Sequence, residues 1–127
     1  MIPKPISRKA NIVVQELEDE VLIYDLNNNR AFCLNQTSAL VFQLCDGSNS
    51  VAEISDLMSV RLKTLVSEEI VWLAIEELKR EKLISSEAES IFAGMTRREM
   101  VRKVGLASMI ALPVVASIVA PAAVNAQ

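Results

Sequence analysis

Few of the 127 residues belong to types that act as nucleophiles, metal ligands or proton shuttles. The chain has no His, and its only thiols are Cys33 and Cys45. Two cysteines without His cannot close a zinc site, which takes four N or S ligands, and their spacing is not that of a Cys-x-x-Cys redox pair. Both sit among apolar residues. They read as buried free thiols in a reducing cytosol, with a disulfide or a reactive thiol as the alternatives. No metal, no cofactor and no catalytic set is expected, so the chain reads as a binding module and not as an enzyme.

Charge narrows what it could bind. The length suits one domain and not two. Residues 1–95 hold nine Lys and Arg against fifteen Asp and Glu, while residues 96–127 hold four against one. An acidic domain is poorly matched to nucleic acid, where phosphate neutralisation needs clustered cations. The division instead suggests a domain followed by a tail with its own role.

The elements that must position any site are legible along the chain. Residues 1–11 read as a flexible arm with prolines and three cations. Ile12 to Leu17 alternates, Glu18–Asp19–Glu20 turns, and Val21 to Leu26 is rich in strand formers. Asn27–Asn28–Asn29 is a tight turn, since Asn tolerates positive φ, and Arg30 to Leu34 is a third strand. Asn35 or Thr37 caps a helix running to about Cys45, stopped at Asp46–Gly47. Ser50–Val51–Ala52–Glu53 is a capping box opening a second helix with Val51, Ile54, Leu57, Met58 and Leu62 on one face. Ser67 caps a third helix with an inner face of Ile70, Val71, Ala74, Ile75 and Leu78. Leu83–Ile84 closes the domain as a short extended piece. The expected fold is α+β and winged-helix-like: a three-stranded antiparallel sheet, then three short helices, plus a C-terminal apolar helix. The expected domain is 12–85, followed by a linker at 86–95 and a tail at 96–127.

Leu34–Asn35–Gln36–Thr37–Ser38–Ala39, Phe42–Gln43–Leu44–Cys45–Asp46–Gly47 and Ser50–Val51–Ala52–Glu53–Ile54, following a hairpin in this order, resemble the PqqD family. The end of the third helix, Glu77–Leu78–Lys79–Arg80–Glu81–Lys82–Leu83–Ile84, resembles that family's close. The resemblance covers about residues 12–85. It implies a peptide-recognition element that binds the leader of a ribosomally made precursor peptide. The leader is then presented to a modifying enzyme, often a radical-SAM protein, as in pyrroloquinoline quinone biosynthesis. It further implies that the leader adds as a strand beside the third strand and lies against the third helix. Carried onto this chain, the docking edge is Arg30, Ala31, Phe32, Cys33 and Leu34, and the facing helix supplies Val71, Trp72, Ile75 and Lys79. Strand addition fits the physics, because an unpaired edge offers backbone hydrogen bonds to any extended segment. Phe32 and Cys33 face opposite sides, so at most one lines a groove. Trp72 is either an anchor for the ligand or part of the core's rim, and Arg30 and Lys79 either meet acidic leader residues or are solvated.

The tail is different in kind. Thr96 and Glu99 form another capping box, so a helix is expected from Arg97. From Val104 to Val124 there is no charge for twenty-one residues, enough for a helix to cross a hydrocarbon core at about 1.5 Å per residue. Arg97, Arg98, Arg102 and Lys103 would keep its start on the cytoplasmic side, so the chain could be cytoplasmic with a tether to the inner membrane. Thr96–Arg97–Arg98 before an apolar run also resembles a twin-arginine export signal, although such signals belong at the N-terminus. Three readings stay open: a membrane anchor, an apolar helix docked on a partner or on its own domain, and a processed peptide. Two further classes of function stay open beside leader binding. One is a membrane-tethered adaptor. The other is a winged-helix DNA-binding protein, which the third helix disfavours because its acids outnumber its bases.

Overall fold

The computed structural model describes residues 4–85, 92, 94–104 and 110–118. A short strand β1 (Ile6–Ser7) leads into the antiparallel meander β2 (Ile12–Glu16), β3 (Glu20–Asp25) and β4 (Arg30–Asn35). Three helices follow, α1 (Gln36–Leu44), α2 (Val51–Leu62) and α3 (Glu68–Arg80), and then β5 (Ile84–Ser85) pairs antiparallel with β1. The tail adds α4 (Arg97–Val104) and β6 (Val115–Ile118).

The local signals act as read. Asn35 caps α1, its side-chain oxygen accepting from the Ser38 amide, and Asn29 takes the left-handed φ that the turn requires. The Ser50–Glu53 and Thr96–Glu99 capping boxes both close in both directions. Ser67 caps α3. Each satisfies helix-end amides that have no partner within the helix.

The core lies between the inner face of the meander and the three helices. Val21, Ile23, Phe32 and Leu34 from the sheet meet Leu40, Val41, Ile54, Met58, Ile70, Val71, Leu73, Ile75 and Leu78. All five residues expected on the inner face of α3 are buried. On α2, Val51, Ile54 and Met58 are buried but Leu57 is exposed.

Three expectations need correction. First, the sheet has four strands among the described residues, in the order β2-β3-β4-β6. Second, the continuous apolar helix expected from Val104 is absent among the described residues. Helix α4 is described as far as Val104, residues 110–114 are neither helix nor strand, and β6 joins the sheet. Residues 105–109 and 119–124 of that stretch lie outside the described residues. No helix among the described residues is long and apolar enough to cross a membrane. A stretch apolar on all sides satisfies strand as well as helix, and here Pro113 and the β-branched Val114, Val115 and Ile118 favour the extended form.

Third, the N-terminal arm is tied down over its described part. Pro5 and Ser7 are buried, and the Ser7 hydroxyl donates to the Phe42 carbonyl at 2.6 Å. Arg8 forks onto Asp25 at 2.8 and 3.0 Å. Gly47 lets the arm pass: its φ is +87°, and a Cβ there would stand 3.2 Å from the Ile6 Cδ1.

Candidate functional site

The candidate site is the cleft between helix α3 and the side of β4 that does not pair with β3. At the β3–β4 turn Asp25 is buried. The Arg8 guanidinium, with the Asn28 side chain and the Asn27 and Asn28 amides, holds its carboxyl well below the usual carboxylate range. Within the meander β4 pairs only with β3. Its other side would present unpaired N–H and C=O groups.

In the structure that side is occupied. β6 pairs antiparallel with β4 in the register Ala31↔Ile118, Phe32↔Ser117, Cys33↔Ala116 and Leu34↔Val115. The Asn35 amide donates to the Val114 carbonyl at 3.3 Å. Alternation along an antiparallel pair then aims the backbone groups of Ala31 and Cys33 at β6, and those of Phe32 and Leu34 at β3.

Side chains extend the ladder beyond its end. The Asn35 amide side chain donates to the Leu112 carbonyl at 2.8 Å and its oxygen accepts from the Val114 amide at 3.0 Å. The Thr37 hydroxyl donates to the Ala111 carbonyl at 2.8 Å. On the opposite flank stands Glu77 of α3, buried to 5% exposure. One of its oxygens accepts from the Val115 amide at 3.3 Å, and the other pairs with Arg97 at the start of α4. The segment 111–118 is therefore gripped from both sides, by β4 and by α3.

The expected site residues divide. Ala31 and Cys33 face the edge with backbone groups and are half-buried. Phe32 and Leu34 are fully buried under the sheet, so they serve the edge as backbone and the core as side chains. Arg30 lies 3.2 Å from Glu81, stacks over the Phe32 ring at 5.0 Å and donates to the Ser117 hydroxyl at 3.3 Å. Its cation is thus at the cleft's end, already paired. Val71 and Ile75 are buried in the core. Trp72 is half-buried against the same cluster.

Lys79 is not brought to the cleft. Two residues beyond Glu77, it is turned roughly 200° around the helix. It lines instead a separate cleft of about 560 Å³ with Arg8, Lys9 and Lys82. Trp72, five residues before Glu77, is likewise turned roughly 140° away. Of the tail cations, Arg97 pairs with Glu77 while Arg98, Arg102 and Lys103 are exposed.

Asn35, Thr37 and Glu77 line the cleft through contacts with residues 111–115, and Glu81 holds Arg30 at its end; sequence reasoning did not single these four out as lining it. Glu77 had a signal: it sits on the buried stripe of α3, seven residues from Ile70 and three from Ala74, where a carboxylate requires a partner. Neither thiol is set up for reactivity. Burial pushes Cys45 up to about 12. Burial and the Glu20 carboxylate, 3.3 Å away, push Cys33 up as well. A thiol held protonated is a poor nucleophile.

A β3–β4 hairpin, three packed helices and a cleft beside the third helix that holds a strand of the chain itself define the class of fold. The family model described as Coenzyme PQQ synthesis protein D (PqqD) matches residues 20–84, and the chain belongs to that family. Among solved structures, the chain is similar to one described as TbiB1 in complex with the TbiA(beta) leader peptide. The two share a TM-score of 0.53 at 18% identity, covering 66% of this chain and 100% of that one. No curated protein matches the chain.

Proposed function

We propose that this chain is a non-catalytic binder of the leader region of a ribosomally made precursor peptide. It takes the leader as an antiparallel strand on β4, against α3, through Arg30, Ala31, Phe32, Cys33 and Leu34. It presents the attached precursor to a peptide-modifying enzyme. The family suggests a radical-SAM enzyme, with pyrroloquinoline quinone or a related peptide-derived product as the outcome.

The observation that carries this reading is the pairing of β6 with β4: this edge receives an extended segment in antiparallel register between strand and helix. The similar TbiB1 structure, described as a leader complex, supports a peptide as the natural occupant. Backbone pairing supplies affinity with little sequence demand, and side chains along the cleft supply selection. Val71, Trp72, Ile75 and Lys79 were expected to do the selecting. The geometry favours Asn35, Thr37, Glu77 and Glu81 for that role, with Arg30 at the cleft's end.

The test is titration with the synthetic leader of any short precursor peptide that the genes adjoining this chain's own encode. Cys33→Pro removes a donor aimed at the cleft, whereas Phe32→Pro would remove one bonded to β3. Cys33→Pro is expected to weaken leader binding at least tenfold in a chain that keeps its helical circular dichroism. Unchanged affinity in that folded variant contradicts strand addition at β4.

A further inference from the structure

We infer that residues 110–118 are a tethered stand-in for the leader: a strand of the chain itself that competes for the docking edge and must leave before a leader can bind. This rests on the docking-edge function proposed above and adds its regulation.

The segment engages the β4 backbone together with Asn35, Thr37, Glu77 and Arg30. Ala116 and Ile118 stand opposite the two β4 residues whose backbone groups face outward, Cys33 and Ala31. Pro113 is buried and Leu112 and Val115 are half-buried against the core cluster. Asn35 and Thr37 bond the stretch before the strand, Glu77 bonds the Val115 amide, and Arg30 reaches Ser117. A ligand in trans would need the same backbone groups of β4, so the two occupants exclude each other.

The same contacts show why the strand can leave. Ala116, Ser117 and Ile118 are exposed, so β6 itself buries little apolar surface. The hold on the tail lies upstream. Met100 and Val104 of α4 are buried, and Arg97 is paired with Glu77. Helix α4 can thus stay docked on α3 as a hinge while 110–118 swings out. Glu77 belongs to both parts, since it bonds the strand through one oxygen and the helix through the other.

Tethering sets the size of the effect. A segment joined to its own domain by a short connection competes at an effective concentration of order mM. If the free segment binds the bare edge at roughly 0.1 mM, a peptide in trans is weakened about tenfold by the closed tail.

The experiment uses the full chain, a fluorescent synthetic peptide of residues 110–118 as probe, and amide hydrogen exchange. Ala116→Pro and, as a second variant, Ile118→Pro each remove an amide aimed at β4 without touching the cleft. In the wild-type chain the Ala31 and Cys33 amides should be protected and the probe should bind weakly. In either variant those two amides should exchange quickly, and the probe should bind about tenfold tighter and protect them again. Equal probe affinity in wild type and in a variant with exposed edge amides overturns the competitor. So do Ala31 and Cys33 amides that are unprotected in the wild type. If the variants expose the edge and the probe still binds neither them nor the wild type, the docking edge itself is refuted, a different failure from loss of the competitor alone.

Discussion

The N-terminal arm and the C-terminal tail each lay a strand against the same domain, on different footings. Ile6–Ser7 pairs with Ile84–Ser85, with Pro5 and Ser7 buried, Ser7 bonded to Phe42, and Arg8 clamped on the buried Asp25. Val115–Ile118 pairs over twice the length, yet its last three residues are exposed and its polar contacts lie mostly at its start. Strand length is therefore a poor guide to how firmly a terminal segment is held. What sets the hold is how many groups would be left buried and unpaired on release. Release of the arm would strip the buried Asp25 carboxylate of the Arg8 guanidinium paired with it. Release of β6 would return backbone groups to water and uncover an edge, which is what a docking site requires.

Several changes would break or sharpen that contrast. The largest is Phe32→Ala, which empties the fully buried centre of β4. A loss of about 3–5 kcal/mol in urea unfolding is expected, with the arm and the tail released together. Gly47→Ala should act on the arm alone. It forces a side chain into a left-handed φ and against Ile6, for about 1–2 kcal/mol, and should leave exchange at Ala31 and Cys33 unchanged.

Arg8→Ala gives a pH signature. Arg8 is the chief reason Asp25 titrates low. A depressed carboxyl contributes stability above its unfolded value, near 4, and loses it as pH falls toward the folded value. The variant's deficit in urea midpoint should be full at pH 6–7 and shrink from about pH 4 downward. A deficit independent of pH would mean the guanidinium's packing, not its charge, fixes the arm. The smallest expected effect on global stability belongs to Ala116→Pro, at most about 1.4 kcal/mol, the equivalent of the tail's roughly tenfold closure. A loss well beyond that would make the tail as firmly built in as the arm.

What could be read in the sequence was local. The Asn27–Asn29 turn, the Asn35 and Ser67 caps, both capping boxes and the inner face of α3 each rest on residues within one or two turns of one another. The pairings that define the cleft join residues far apart: Ala31 with Ile118, Thr37 with Ala111, Glu77 with Val115 and Arg97. No periodicity announces such partners. The apolar run after Val104 had no polar face to reveal a strand, so its length spoke for a helix. The strand Arg30–Leu34 was legible because the hairpin places it. Which surroundings Trp72 and Lys79 face depends on what packs around α3, α4 and β6 included, and the sequence pattern of α3 alone does not contain that.

The choice of β4 over the meander's other edge, β2, is the most exposed part of the account. It can be tested by nuclear Overhauser contacts in the Ala116→Pro chain, 13C-labelled, with the unlabelled 110–118 peptide bound. In an antiparallel pair, Hα atoms meet at the residue pairs that share no ladder bonds, which on β4 are Phe32 and Leu34. The account predicts intermolecular Hα–Hα contacts from those two residues. Contacts from Val13 to Gln15 of β2 instead, with none from Phe32 or Leu34, would contradict it.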